Sequence, residues 1–215
     1  MGKKIVGKSL QTEAYEKLEE MIVTQALAPA TTVTEQYLSE LIGIGRTPIR
    51  EALQRLAREG LVLIRPRSAI LILEMSLDRQ LQLLEARGAI QQLTVRLAAN
   101  RANVEERSKM LILAAAIDDA AKIGDSALYL HVARDVHNLL CKASHNEFLS
   151  DCLSSLYSLS RQFYFKHIHK VDLYQAATTH ADILRAVAAL DEKAAVKASD
   201  RMIKYLLQYT ADLKA

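Results

Sequence analysis

The stretch Leu38–Val62, LSELIGIGRTPIREALQRLAREGLV, decides the fold of the N-terminal part of the chain. It predicts a short helix, a turn that contains Gly43 and Gly45, and a second helix. Glycine at these two positions permits the backbone angles of a tight turn. Thr47 suits the N-cap of the second helix, and Pro48 suits its first position because proline has no N–H to lose there. The stretch therefore predicts a helix-turn-helix.

The second predicted helix has two distinct faces. Its apolar face consists of residues at spacings of four and three, namely Ile49, Leu53 and Leu56. A second face carries polar residues at spacings of four, namely Arg46, Arg50 and Gln54. Arginine side chains at the start of such a helix can reach phosphates and base edges together. We therefore expect this helix to enter the major groove of DNA.

A predicted hairpin follows this helix. Leu61–Ile64 and Ile70–Leu73 are short runs of strand-forming residues, and they flank the proline-containing loop Arg65–Ala69. A hairpin that follows a helix-turn-helix is a wing, and its basic tip suits contact with a phosphate or with the minor groove. The region thus predicts a winged helix-turn-helix with a small β-hairpin.

Basic charge is concentrated in this region. Ile44–Ile70 holds six arginines and two glutamates, a local net charge of +4, whereas the whole chain carries +3. Such concentration is typical of a surface that binds nucleic acid. The alternative is a solvated helix with incidental arginines, but the turn, the cap, the hairpin and the charge together favour DNA binding.

Length and composition limit the class of protein. The chain has 215 residues, half of them hydrophobic, which is enough for one large or two small domains with a substantial core. No uncharged apolar run reaches ~18 residues, so we expect no membrane span. No apolar segment follows the basic N-terminus, so we expect no secretory signal. The two cysteines, Cys141 and Cys152, predict no disulfide framework, and a reducing cytoplasm is the simplest location.

Helical periodicity covers most of the remaining chain. Upstream of the motif it predicts a helix over Leu10–Leu27 and a short helix that is capped by Thr34 and ends at Ile42. Downstream it predicts helices near residues 78–101, 104–122, 126–144, 147–170, 174–189 and 192–213. Short connections between long helices imply antiparallel neighbours in a bundle. We therefore expect a mainly α protein with a winged helix-turn-helix in residues 1–75 and an all-helical bundle in residues 76–215.

The chain resembles a known family in both parts. Glu35–Val62 resembles the signature of the GntR family of bacterial transcription regulators over its winged helix-turn-helix. The C-terminal part is similar to the FCD type of sensor domain, which belongs to the FadR-like subgroup. The segments that carry this second resemblance are Leu84–Arg87, His137–Asn146 and His180–Asp191.

The resemblance implies a homodimer that binds a short inverted-repeat operator in double-stranded DNA. It also implies that a small metabolite, often a carboxylic acid, binds residues 76–215 and changes the affinity for DNA, most simply by relieving repression. Carried over by position, the residues that contact DNA would be Arg46, Thr47 and Arg50, with Gln36 and the wing residue Arg67 as further candidates. Gln54 joins them through its helical spacing. The wing of the family usually has a glycine where this chain has Ser68 and Ala69. The bulkier residues would keep the tip of the wing farther from the minor groove.

Many FCD domains hold a divalent metal through one aspartate and three histidines, and this chain matches that set only in part. Ala133 occupies the position of the aspartate, and Met202 and Tyr205 occupy the expected positions of the last histidine. His137 and His180 remain, fewer than the three or four protein ligands typical of zinc sites. We therefore expect no required cofactor, with a zinc or nickel ion at these two histidines as the alternative.

Arginine offers a way to bind an acid without a metal. Arg134 and His137 are three residues apart on one helix face, and Arg87 lies on a helix that could face them. A guanidinium holds a carboxylate through two parallel hydrogen bonds. We therefore hypothesise that Arg87 and Arg134 bind an anionic effector, and that His137 and His180 line the cavity. The alternative is that the histidines are core polar groups and the arginines are surface charges.

Two other functions stay open at this point. A helical bundle with histidines can host metal-dependent hydrolysis, and a basic winged helix can be an architectural DNA binder without sequence preference. The chain contains no His-Glu-x-x-His sequence, no glycine-rich phosphate loop and no serine elbow, so we do not expect an enzyme. A regulator differs from an architectural protein by a specificity ratio of ~10³ or more over random DNA.

Overall fold

The computed structural model describes residues 9–66 and 69–213. The chain divides into two compact units, Met1–Met75 and Ser76–Ala215. Within the described residues the first unit contains the helices α1 (Leu10–Val23), α2 (Glu35–Ile42) and α3 (Arg46–Arg58). It also contains the strands β1 (Thr32–Thr34), β2 (Val62–Arg65) and β3 (Ala69–Ile72).

The helix-turn-helix is formed by α2 and α3. The Thr34 hydroxyl accepts a hydrogen bond from the Tyr37 N–H and caps α2, as predicted, and Gly43 ends this helix in the left-handed region at φ 69°. The predicted start of α3 is wrong, because the N-cap is Gly45 and makes no side-chain cap hydrogen bond. Thr47 and Pro48 are therefore the second and third helical residues. Proline is tolerated there since the first four N–H groups of a helix have no intrahelical partner.

The wing is part of a sheet rather than an isolated hairpin. In the described residues β3 lies between β1 and β2 and pairs antiparallel with both, with Val33 opposite Ile70 and Ile64 also opposite Ile70. The sequence analysis missed β1 because three residues are too few to show a strand period. It also extended α1 to Leu27, four residues beyond its end at Val23. The third strand fixes the base of the wing to the segment that precedes α2.

The core of the first unit lies between the helices. Ile49, Leu53 and Leu56 of α3 are buried, as the apolar face predicted, and so are Leu18 of α1 and Leu38 of α2. Burial of such side chains contributes about 1.5–3 kcal/mol each relative to exposure. This packing holds one face of α3 against the unit and leaves the other face exposed.

The second unit is an all-helical bundle. Its described helices are α4 (Leu77–Arg101), α5 (Val104–Lys122), α6 (Ser126–Ala143), α7 (Glu147–His167), α8 (Leu173–Ala188) and α9 (Glu192–Asp212). One 3-10 turn, Ile168–Lys170, continues α7 where the sequence predicted an unbroken helix. Asparagine or aspartate side chains cap α5 to α9, and Asn103 forms a capping box with Glu106. A mainly α fold with an N-terminal winged helix-turn-helix is therefore confirmed.

Two further features bear on the predictions from composition. Among the helices of the described residues, none combines the length and the apolar character that crossing a bilayer requires. Cys141 is buried and Cys152 is exposed, and both thiols are free. Burial raises the pKa of Cys141 to about 12, so its thiol stays protonated at neutral pH.

Candidate functional site

The exposed face of α3 carries the residues that were predicted to contact DNA. These exposed residues are Arg46, Thr47, Arg50 and Gln54. Gln36, in the first turn of α2, is also exposed. The structure therefore brings the helix-turn-helix candidates onto accessible surface of one unit. Arg67 lies outside the described residues, while Arg65 is exposed at the end of β2.

Two of these arginines contact the first turn of α2. Arg50 donates from Nε to both carboxylate oxygens of Glu35, at 3.1 and 3.3 Å, and from Nη2 to Oε2 at 2.9 Å. The hydrogen bonds from Arg50 hold the pKa of Glu35 below its ordinary value. Arg46 donates from Nη2 to the side-chain oxygen of Gln36 at 3.1 Å. One arginine is therefore paired with a charged group and the other with a neutral amide.

A third arginine of α3, Arg55, has a structural role. The count of basic residues in the sequence could not distinguish this role from DNA binding. The Arg55 guanidinium lies 3.6 Å from the centroid of the Tyr15 ring on α1, and its Nε donates to Glu59 at 2.9 Å. The Tyr15 hydroxyl donates to the other Glu59 oxygen at 2.7 Å. Burial and the bond to Glu59 raise the pKa of Tyr15. Arg55 thus fastens α3 to α1 and is not directed at the exposed face.

The helical unit contains a cavity of about 40 Å³. Among the described residues that line it, two are cationic, Arg87 and Arg161, and none carries a carboxylate. Five of the other thirteen lining residues are tyrosines, namely Tyr129, Tyr157, Tyr164, Tyr205 and Tyr209. Burial raises the pKa of Tyr205 to about 12, so its hydroxyl stays neutral. The cavity therefore combines cationic groups with a wall of neutral phenols and aliphatic side chains.

Arg87 is the central charged group of this cavity. The side chain is buried, and its Nε donates to Gln91 Oε1 at 3.0 Å while Nη1 donates to Ser160 Oγ at 3.1 Å. Both acceptors are neutral. Burial lowers the pKa of Arg87 from its ordinary value, but a guanidinium stays charged at neutral pH. A buried cation whose hydrogen bonds go to neutral acceptors is suited to bind an anion.

The two predicted histidines both lie beside the cavity. His180 lines it, and its Nδ1 lies 3.0 Å from the Ala176 carbonyl oxygen, which makes Nδ1 the protonated nitrogen. His137 lines an adjoining space and stacks on Tyr157 with centroids 3.9 Å apart. Burial lowers the pKa of His180 to about 4 and that of His137 well below its ordinary value. Both imidazoles are therefore neutral at neutral pH.

Arg134 is not brought together with Arg87. It lies on the outer side of α6, half-buried, where its Nη2 is 3.2 Å from His131 Nδ1, and it is absent from the cavity wall. The inward face of α6 is formed by Tyr129, Ala133 and His137, four residues apart, and Arg134 is rotated ~100° from Ala133. Arg161 of α7 occupies the cationic position that the sequence analysis gave to Arg134.

Comparison with known proteins finds a matching family for each of the two units. Residues 10–72 match the family described as bacterial regulatory proteins, gntR family, and residues 82–205 match the FCD domain. The chain belongs to the GntR family. Both matched families belong to transcriptional regulators, and regulators of the GntR family bind DNA and typically act as dimers.

Individual relatives of this GntR regulator agree with that assignment. An HTH-type transcriptional regulator of Streptomyces ambofaciens is 41% identical over 61 residues, which cover 28% of this chain and 26% of that protein. The HTH-type regulator YdhC of Bacillus subtilis is 26% identical over 149 residues, which cover 67% of this chain and 65% of YdhC. The chain thus covers less than two thirds of either relative. The E. coli McbR/YncC structure has the same fold, with a TM-score of 0.83 at 18% identity over 97% of this chain and 100% of that one.

The cavity of this GntR regulator does not fit the metal set of the FCD resemblance. Ala133 and Met202 line the cavity at positions where a ligand would be required, and the Met202 sulfur accepts a hydrogen bond from Gln91. In the described part of the chain, no group of three or more His, Cys, Asp or Glu residues is placed to hold a metal. His180 on the wall and His137 in the adjoining space are thus two neutral imidazoles without an acidic ligand.

Sequence reasoning missed several cavity residues. Gln91 and Ser160 hold the Arg87 guanidinium, and Tyr157 and Arg161 lie one turn apart on α7. The available signal was the helical spacing of four between Arg87 and Gln91 and between Tyr157 and Arg161. This signal did not single them out, because spacing alone cannot separate a packed face from a cavity wall.

Proposed function

We propose that the protein is a repressor that binds an inverted-repeat operator as a homodimer in the cytoplasm and releases it when a small organic acid binds the helical unit. Two sites support this function. The exposed face of α3 supplies arginines within the segment that matches the GntR family. The cavity supplies a buried guanidinium without a carboxylate partner among the described residues, and this observation carries the effector half of the proposal.

Operator binding rests on Arg46 and Arg50, with Thr47, Gln54 and Gln36 as neighbouring contacts. A helix that enters the major groove reads bases with side chains on its exposed face, and arginine paired with guanine is the commonest specific contact. Two copies of α3 related by a two-fold axis would read two half-sites about one helical turn apart. Arg67 of the wing stays a candidate contact to the minor groove.

Operator binding is tested by the ratio of affinities for two kinds of DNA. The operator is selected from random duplexes with the purified protein, and fluorescence anisotropy then gives Kd for operator and for random DNA at fixed salt. A lost bidentate base contact should lower the ratio ~10-fold or more, and a lost phosphate contact should weaken binding to both DNAs. Arg46→Gln with Arg50→Gln should therefore weaken operator binding and lower the ratio at least ~10-fold. Arg96→Gln, which removes an exposed charge on α4, is the control. A wild-type ratio near unity would favour an architectural DNA binder instead.

The effector is a small organic anion that Arg87 binds directly. Burial of a guanidinium among neutral groups is costly, and a carboxylate that accepts hydrogen bonds from Arg87 would offset this cost. The tyrosine wall suits a compact acid with an apolar body, since the cavity of about 40 Å³ offers few charged partners for a polyacid. A larger acid would have to separate the helices, which is the kind of change that could alter DNA binding.

Effector binding needs no metal in this proposal. Two neutral imidazoles beside Ala133 and Met202 are a weak ligand set, whereas Arg87 supplies charge and geometry by itself. The protein stripped with a chelator should therefore bind its acid as tightly as the untreated protein. A zinc or nickel ion held by His137 and His180 would instead make binding depend on added metal.

Effector binding is tested by thermal shift of the metal-stripped protein. Acetate, propionate, benzoate and malonate serve as probes, and an acid at 100 times its Kd should raise Tm by ~5–10 °C. Arg87→Gln should abolish the shift, and Ala133→Leu, which fills the cavity without a change of charge, should do the same. Arg134→Gln is the control. If no acid raises Tm, or if both cavity variants keep the shift and the release of operator, this half of the proposal is wrong.

A further inference from the structure

The first turn of α2 carries partners for both arginines of the exposed α3 face. Glu35 accepts from Arg50, and the next residue, Gln36, accepts from Arg46. The Gln36 amide in turn donates to Glu40 at 2.9 Å, which fixes the direction of its oxygen. Two consecutive side chains of one helix therefore hold two side chains of the next.

The Arg50 contact uses only one edge of the guanidinium. Glu35 receives hydrogen bonds from Nε and from one N–H of Nη2. A guanidinium has five N–H groups in one plane, so Nη1 and the second N–H of Nη2 form an opposite edge. This edge has the geometry that binds O6 and N7 of guanine with two parallel hydrogen bonds. Glu35 therefore occupies the edge that base recognition does not need.

Burial of the two partners is unequal. The Glu35 side chain is 16% exposed, whereas that of Arg50 is 60% exposed. The carboxylate is thus held by the protein and the guanidinium projects from it. Because the hydrogen bonds from Arg50 also lower the pKa of Glu35, the carboxylate stays ionised throughout the neutral range.

We infer that Glu35 is a specificity-determining positioning residue, which orients Arg50 for one guanine and weakens its attraction to phosphates elsewhere. The inference rests on the proposed operator contact of Arg50. An arginine fixed in advance loses less conformational freedom on binding, which favours the correct base. The adjacent negative charge offsets the guanidinium charge, which lowers affinity for DNA of any sequence. Specific and non-specific affinity should therefore respond to Glu35 in opposite directions.

The test compares Glu35→Gln with the wild type on operator and on random DNA. We expect Kd for the operator to rise ~10-fold and Kd for random DNA to fall ~2-fold, because one base contact is loosened and one negative charge is removed. Base preference should relax at a single position in each half-site. Glu13→Gln, which removes a carboxylate that pairs with Lys17 on α1, is the control with the same charge change.

A double-mutant cycle separates positioning from general damage. If Glu35 acts through Arg50, then Glu35→Gln should have no further effect on the specificity ratio in an Arg50→Ala background. Equal tightening on both DNAs would mean that Glu35 only repels phosphate, and additive losses would mean a structural role; either result overturns the inference. If Arg50→Ala itself leaves selectivity intact, the proposed contact of Arg50 fails and the inference fails with it.

Discussion

Arg46 and Arg50 are chemically identical but have different surroundings. Arg50 donates hydrogen bonds to the Glu35 carboxylate, whereas Arg46 donates to the neutral Gln36 amide and only its more distant charge helps to lower the pKa of Glu35. The field of Arg46 is therefore less compensated and better suited to a phosphate, whereas the oriented edge of Arg50 is better suited to a base. In the proposed complex with DNA, α3 thus offers two kinds of contact from residues one turn apart.

Salt dependence should distinguish these two arginines. A lysine or arginine that neutralises a phosphate releases a counterion, so its loss lowers the slope of log K against log salt by ~1. We expect Arg46→Gln to reduce this slope and to weaken operator and random DNA alike. Arg50→Gln should leave the slope nearer the wild type and reduce the specificity ratio. Titrations at several salt concentrations measure the slope and the specificity ratio. If Arg46→Gln reduced the ratio and Arg50→Gln reduced the slope, the assignment would be contradicted.

His180 should make the stability of the helical unit depend on pH. Because burial lowers its pKa from 6.5 to about 4, the folded state binds fewer protons than the unfolded state between these values. The contribution of His180 to stability should thus be constant above pH 6.5 and fall as pH decreases, by about 2 kcal/mol at pH 5. His180→Gln should remove this part of the loss in urea unfolding at pH 7.5 and 5 and leave the part that comes from His137, whose pKa burial also lowers. His131→Gln, at an exposed site, should not.

At the scale of elements, helix existence was predictable and helix orientation was not. The six helices of the second unit were expected within three residues of their observed ends, and aspartate or asparagine caps mark the starts of five of them, while Ser76 caps α4. The side of α6 that faces the cavity was not predictable. Arg134 and His137 are within one turn of each other, and only the packing of α6 against its neighbours decides that His137 points inward. The start of α3 was misplaced because Pro48 fits any position of a first turn.

The Tyr15 hydroxyl should stabilise the packing of α3 against α1. The Tyr15 hydroxyl donates to Glu59, which also pairs with Arg55, so three side chains form one partly buried cluster. Tyr15→Phe keeps the ring beneath the Arg55 guanidinium and removes only the hydrogen bond to a charged acceptor, which should cost about 1–2 kcal/mol. Chemical unfolding, followed by a probe in the first unit, measures this loss. Tyr37→Phe, at an exposed tyrosine of α2, should have no comparable effect.

At the scale of the whole molecule, the proposed function requires that binding of an acid to the second unit changes the DNA affinity of the first unit. The first unit carries the charged face and the second carries the cavity, and the exposed face and the cavity are each built from residues of a single unit. An acid in the cavity can therefore alter DNA affinity only if it binds two states of the dimer with different affinity. The sequence predicted the two sites through family resemblance. The linkage between the sites depends instead on a difference between two conformational states of the protein, which a sequence pattern does not describe.

This linkage predicts a reciprocal effect. If an acid weakens operator binding by some factor, saturating operator must weaken acid binding by the same factor, since both follow from one coupling free energy. A typical coupling of about 1–3 kcal/mol corresponds to ~5–150-fold. Calorimetric titration of the acid with and without operator gives the factor by which operator weakens acid binding. Anisotropy with and without acid gives the factor by which the acid weakens operator binding. Arg87→Gln should remove both effects together, whereas a factor seen in only one direction would show that the acid does not act through the cavity.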